Sequence, residues 1–219
     1  MFTIKLTEIL RDRQKLYDQI MVSQRAFVLL FHIFLISVIF LGSYGFFMGL
    51  YHSFYQALSS AVKLPLLFYL ALFICYPAMF IYNAILGSKM TFMQSLSIII
   101  STFAFISTIL VSFIPIVLFF HIINSGYTFM KFMHVVFLSI SGITGMIVLI
   151  DALLYVCDHH KVYPKKGVTL VQIWILIFAF VGTQLSWNLK PFIGSHEYDF
   201  ELFRHAKGNL YTSLIKSVF

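Results

Sequence analysis

Five stretches of this chain, at about 26–50, 65–86, 92–121, 131–156 and 168–187, are apolar over lengths that a soluble fold rarely sustains. At 1.5 Å of rise per residue, each helix is long enough to cross roughly 30 Å of hydrocarbon. In such a solvent every backbone amide must find its partner inside the protein, which leaves helices as the local solution. The pattern therefore predicts an all-α, polytopic transmembrane helical bundle of about five spans. Composition agrees: 60% of the 219 residues are hydrophobic and 11% are charged, against about 45–50% and 25% in soluble domains. The first apolar run follows a long charged segment and no small-residue cleavage site follows it, so it reads as a retained span.

The ends differ from the middle. Residues 3–22 place Leu6, Ile9, Leu10, Leu16, Tyr17, Ile20 and Met21 on one helical face. That describes an amphipathic helix lying on the membrane, docking on partner loops, or burying one side as an ordinary solvated helix. Past the last span, GTQLSWNLKPFIGS (182–195) carries Trp187, which suits the membrane–water interface, and Pro191 and Gly194, which stop a helix. NLYTSLIKSVF (209–219) forms a second amphipathic pattern, so the tail reads as a collar returning to the membrane. Three regions result: 1–25 an amphipathic N-terminal helix, 26–187 the transmembrane domain, and 188–219 an interfacial C-terminal tail. The mixed connection 51–65 reads as an interfacial helix or a short re-entrant element, with Lys63 snorkelling to head groups and Pro65 opening the second span.

The net charge of +7 is spread over the N-terminal segment, the loops and the tail. With no basic face, nucleic acid is excluded as a partner; the charge is topological. A cytoplasmic N-terminus keeps Lys5, Arg11, Arg13, Lys15, Arg25, Lys89, Lys161, Lys165 and Lys166 inside, nine residues. Outside are Lys63, Lys131, Lys190, Arg204, Lys207 and Lys216, which are six. The expectation is N-in and C-out, and insertion of 51–65 would move the tail across. Cys75 and Cys157 lie in apolar context and give no disulfide framework.

Polar groups within the spans are where function is sought first. Ser97, Ser101, Ala104, Thr108 and Ser112 recur at spacings of four, three, four and four, one small, hydroxyl-bearing stripe. It serves either tight helix packing or the lining of a pore, and Pro115 kinks the helix beyond it. Asp151, Gln172 and Gln94, with Asn83 at a similar depth, form a candidate ion or proton site; the plainer reading is that Asp151 reaches the interface or is neutralised by Lys161 or Lys89. His121 and His134 flank one turn and are placed to face each other, without enough further ligands for a metal. Asp158-His159-His160 is a weak loop cluster, and His32 reads as packed or hydrogen-bonded. Gly42, Gly45 and Gly49, with Gly142 and Gly145, predict close helix contacts within or between subunits.

The motifs of enzymes are missing: there is no P-loop, dinucleotide fingerprint, HExxH or GxSxG. Arg25 and His32 have a spacing seen in some RNA-cleaving sites, but AFVLLF between them belongs to a span. No catalytic residues, metal ligands or cofactors are assigned. SAVKLPLLFYLALFICYPAMFIYNAILGSKM (60–90), GTQLSWNLKPFIGS and FELFRHAKGNLY resemble an uncharacterised family of bacterial multi-spanning membrane proteins, loosely Yip1-like. The resemblance covers about a third of the chain, brings no catalytic residues, and implies a small membrane protein with a defined C-terminal segment; the expected location is the bacterial cytoplasmic membrane. The expected function is a homo-oligomeric pore or channel subunit passing ions or small solutes, self-associating in the bilayer. The alternative is a non-catalytic structural or docking subunit of a larger complex with a soluble or membrane protein partner; a transporter with broken midplane helices is a third.

Overall fold

The computed structural model describes residues 13–22, 26–123, 125–194 and 200–203. Its helices are α1 (Arg13–Val22), α2 (Ala26–Gly49), α3 (Phe54–Ile85), α4 (Phe92–Ser112), α5 (Ile114–Ile122), α6 (Tyr127–His160) and α7 (Lys165–Leu189). Among the described residues there is no strand. Among the described residues, five units are long and apolar enough to cross a membrane: α2, α3, α4 with α5, α6 and α7. The chain is an integral membrane protein. The expected helices at 3–12 and 209–219 lie outside the described residues.

The second span begins earlier than Pro65 suggests. Ser53 caps α3 by accepting from the Gln56 N–H at 3.2 Å, and the helix then runs through both Pro65 and Pro77. Residues 54–65 are therefore the first turns of a spanning helix, not a separate interfacial or re-entrant element. Proline inside a helix leaves the carbonyl four residues back without its donor. For Pro65 that carbonyl is Ala61 O, and it faces Gly42 of α2, where a Cβ would stand 3.2 Å from it.

Glycine makes the α2–α3 contact possible. A Cβ on Gly45 would lie 2.4 Å from Ser60 O, and one on Gly49 would lie 2.5 Å from Gln56 O. The glycine row thus acts within the chain, bringing two backbones together. Proline does the expected work at 115. Phe113 N–H bonds back three residues to Leu110 O at 3.0 Å, α4 ends, and α5 starts with Pro115 in its first turn. The Phe113 ring stacks on Phe137 of α6, with centroids 4.2 Å apart.

α2 lies along α3 and α4, α4 packs on α6, α6 on α7, and α7 on α3, closing a circuit. Its interior is filled. Phe103 of α4 meets Phe68 and Tyr69 of α3 at 5.5 and 5.7 Å and Phe178 of α7 at 5.7 Å. Trp174 donates to Cys75 O at 2.9 Å. Both cysteines are buried free thiols.

α1 packs against α4, α6 and α2 from the end that carries the 86–91 and 161–164 connections, and Arg13 Cζ reaches 5.3 Å from the Phe105 ring centre of α4. Its buried Leu16, Tyr17 and Ile20 face α4, α6 and α2. Gln94 donates to Met21 O at 2.9 Å, Tyr155 donates to Asp18 at 3.1 Å, and His160 pairs with Asp18 at 2.8 Å. Burial pushes the Tyr17 hydroxyl up to about 12; Arg13 opposes the shift and Asp151 adds to it. Among the readings of this amphipathic segment, the described part buries its apolar side on its own chain.

Candidate functional site

At the other end of the bundle, the first turns of α3 set Gln56, Ser60 and Lys63 on one helical face, and all three are buried. They meet the segment that leaves α7. Once Pro191 has ended helical bonding, its carbonyls need donors from elsewhere. Gln56 Nε2 donates to Pro191 O at 2.9 Å and to Phe192 O at 3.1 Å. Ser60 Oγ donates to Phe192 O. Lys63 Nζ donates to Pro191 O at 3.1 Å and to Leu202 O, and lies 4.9 Å from the Phe203 ring centre. Lys63 is only 3% exposed, so it does not snorkel to head groups; backbone carbonyls replace its water. Gly194, at φ +70°, completes the fold-back where a Cβ would meet His52 at 2.8 Å.

Beneath this anchored segment is a cavity of about 360 Å³ between α3, α6 and the end of α7. Leu64, Leu67, Val135 and Leu138 give it apolar walls, and Tyr127, Lys131, His134, Ser186, Trp187 and Lys190 are the polar or amphipathic residues along it. Lys190 Nζ stands 3.3 Å from the Trp187 ring centre, and Lys131 Nζ 5.7 Å from that of Tyr127. His134 is 1% exposed, with Nδ1 2.8 Å from the Tyr44 hydroxyl. A buried phenol needs an acceptor, and Nδ1 is the one in reach. Tyr44 then donates to Nδ1, which leaves the neutral imidazole's proton on Nε2. His134 Nε2 and Trp187 Nε1 have no hydrogen-bond partner among the described residues.

The residues singled out by sequence fall elsewhere. Ser97 and Ser101 are buried and Thr108 is half-buried, while Ser112 is exposed. Each hydroxyl donates to a carbonyl one turn back: Met93 O at 2.7 Å, Ser97 O at 2.7 Å, Ala104 O at 2.8 Å and Thr108 O at 3.0 Å. Asp151 and Gln172 are exposed on α6 and α7. Gln94 completes a capping box with Thr91 and holds α1, so its amide is occupied at both ends. Lys131 and Asp151 stand 20 residues apart on α6, about 30 Å along a helix, so they bracket one hydrocarbon thickness. Asn83 bonds Tyr163 at 2.7 Å and Met79 O at 3.1 Å.

His121 is within electrostatic reach of His134 and, like it, has an unpartnered Nε2 among the described residues. Among those residues no group of three or more His, Cys, Asp or Glu is placed to hold a metal. His32 bonds Val28 O at 2.7 Å on an exposed face of α2. His160 of the loop cluster belongs to the α1 contact, and His159 bonds Tyr155 O at 3.2 Å.

Sequence reasoning missed the cavity because its walls come from helices distant in the chain. One signal was present: Gln56, Ser60 and Lys63 recur at four and three residues, a polar row entering an apolar helix. No family model, curated protein or solved structure matches the chain.

Proposed function

We propose that this protein is a non-catalytic membrane protein that takes an amphiphilic molecule from the bilayer into the lateral cavity between α3, α6 and α7. One observation carries the reading: a cavity of about 360 Å³ at the bundle end has mostly apolar walls, with a few polar side chains, Lys131 and His134 among them, along its border. Small-molecule sites combine mostly apolar walls with a few convergent polar groups. The anchored segment 190–194 forms one wall, so the polar row of α3 maintains the site from behind. With α1 cytoplasmic, as the distribution of basic residues favours, the cavity opens toward the outer leaflet.

The pore reading draws less support from the geometry. Ser97 and Ser101 are buried within one chain, and aromatic rings occupy the centre of the bundle. A pore between copies would need other surfaces; the exposed Ser112, Asp151 and Gln172 are the residues it would draw on. The docking-subunit reading is compatible with an amphiphile site, although α1 spends its apolar side internally.

The test uses the two tryptophans of the chain. In a Trp174→Phe background, Trp187 is the remaining fluorophore at the cavity. A bromine-labelled lipid should quench it saturably, and Leu67→Phe, which narrows the cavity, should weaken that quenching. Linear quenching, identical in both proteins, would mean bulk bilayer contact and would defeat the reading.

A further inference from the structure

Building on the amphiphile reading, we infer that the cavity houses a single acyl chain of a lipid and selects it by length, while the headgroup stays outside and goes unread. The polar residues along its border are engaged within the protein. Lys190 lies over the Trp187 ring, Lys131 over the Tyr127 ring, and His134 takes the Tyr44 hydrogen bond. What remains for a ligand is hydrocarbon. Met48, Leu64 and Ile193 are buried, Leu67 and Leu138 are half-buried, and Val135 is exposed. The cavity therefore deepens from a bilayer-facing mouth at Val135 to an apolar floor.

Depth along the bundle identifies the occupant. Val135 and Leu138 follow Lys131 by four and seven residues on α6, about 6 and 10 Å further along the helix. Lys131 marks one edge of the hydrocarbon, so these walls stand among lipid tails rather than head groups. Hydrocarbon walls give water no partners, and an unfilled void forfeits dispersion contacts. A lipid tail is the neighbour at hand to fill it. Tails and walls are equally apolar, so the preference comes from fit and not from hydrophobicity. Volume then sets the length. A dry cavity of about 150 Å³ takes one benzene, about 25 Å³ per carbon. At that density about 360 Å³ accommodates about 14 carbons, one chain and not two.

The experiment offers delipidated protein in mild detergent two lysophosphatidylcholines of different chain length, at equal mole fraction in the micelle. Native mass spectrometry reads which is retained. A chain of about 14 carbons should be favoured roughly tenfold or more over one of about 10, because each missing carbon leaves a void. Retention should stop rising beyond about 14 carbons, where the excess lies outside the cavity. Leu67→Phe should move that limit to shorter chains and Leu138→Ala to longer ones, each by about three carbons, the number added to or taken from the wall. Ile177→Phe, at an exposed position of α7 outside the cavity, should leave it in place. Lysophosphatidylglycerol of matching length should be retained equally. Saturable retention that ignores chain length in all of these proteins would overturn the single-chain inference and leave the amphiphile site standing. A headgroup preference that outweighs length would overturn it likewise. No saturable retention at any length would overturn both.

Discussion

Replacing Gly45 with alanine tests the α2–α3 contact on which the cavity's α3 wall depends. The new methyl would stand 2.4 Å from Ser60 O and 2.9 Å from Ser60 C, where ordinary contact begins at 3.4 Å. The two helices must therefore part locally by about 1 Å in a close-packed interior. The obstruction is backbone, so no rotamer change relieves it. Overpacking of this kind costs about 1–3 kcal/mol, and in a bilayer helix association rests mainly on packing and interhelical hydrogen bonds. Alanine also brings roughly 1 kcal/mol of helix propensity. Gly142→Ala brings the same gain with nothing within 4 Å of its new methyl, so the difference between the two variants isolates the clash. Gly145→Ala should fall between them, because its Cβ meets side-chain rather than backbone atoms, those of Ile106 at 2.2 and 2.5 Å. Unfolding in mixed micelles should rank stability as Gly142→Ala, then Gly145→Ala, then Gly45→Ala. Equal stability of the Gly45 and Gly142 variants would refute the close contact and the placement of residues 54–65 in a spanning helix.

Other substitutions report on separate contacts. Lys63→Met removes the donor to Leu202 O and one of two to Pro191 O. Proteolysis between Phe192 and Phe203 should accelerate, at a cost of about 1–3 kcal/mol for a carbonyl left without a donor; an unchanged cleavage rate would mean that the segment is held elsewhere. Tyr44→Phe deletes the hydrogen bond to His134 Nδ1 and should destabilise the fold by about 1–3 kcal/mol in micelle unfolding, since a buried acceptor loses its partner. Wild-type stability would exclude that donor assignment. Ser101→Leu adds bulk at a position 5% exposed and should destabilise by about 1–3 kcal/mol. Intact stability with blocked ion flux in reconstituted vesicles would instead favour the pore.

Much of the architecture was legible because its causes are local. Apolar length against bilayer thickness places the spans, and Pro115 breaks α4–α5 by lacking one N–H. The missed boundary at 54–65 has the opposite character. Gln, Ser and Lys at 56, 60 and 63 look like an interfacial stretch until carbonyls from 128 or more residues later along the chain are seen to receive their hydrogens. The α4 hydroxyls illustrate the same limit: periodicity shows that they share a face, whereas burial depends on which helices cover it.

By itself, then, the sequence determined that this chain spans a membrane, roughly where, and which helices can approach closely, since length, hydrophobicity and glycine spacing act within one segment. Only the tertiary structure decided that Lys63 is buried beneath a returning tail, that α1 covers its own bundle, and that His134 and Trp187 share one cavity. Those outcomes depend on hydrogen-bond donors and acceptors far apart in the chain, and no local pattern records which of them meet.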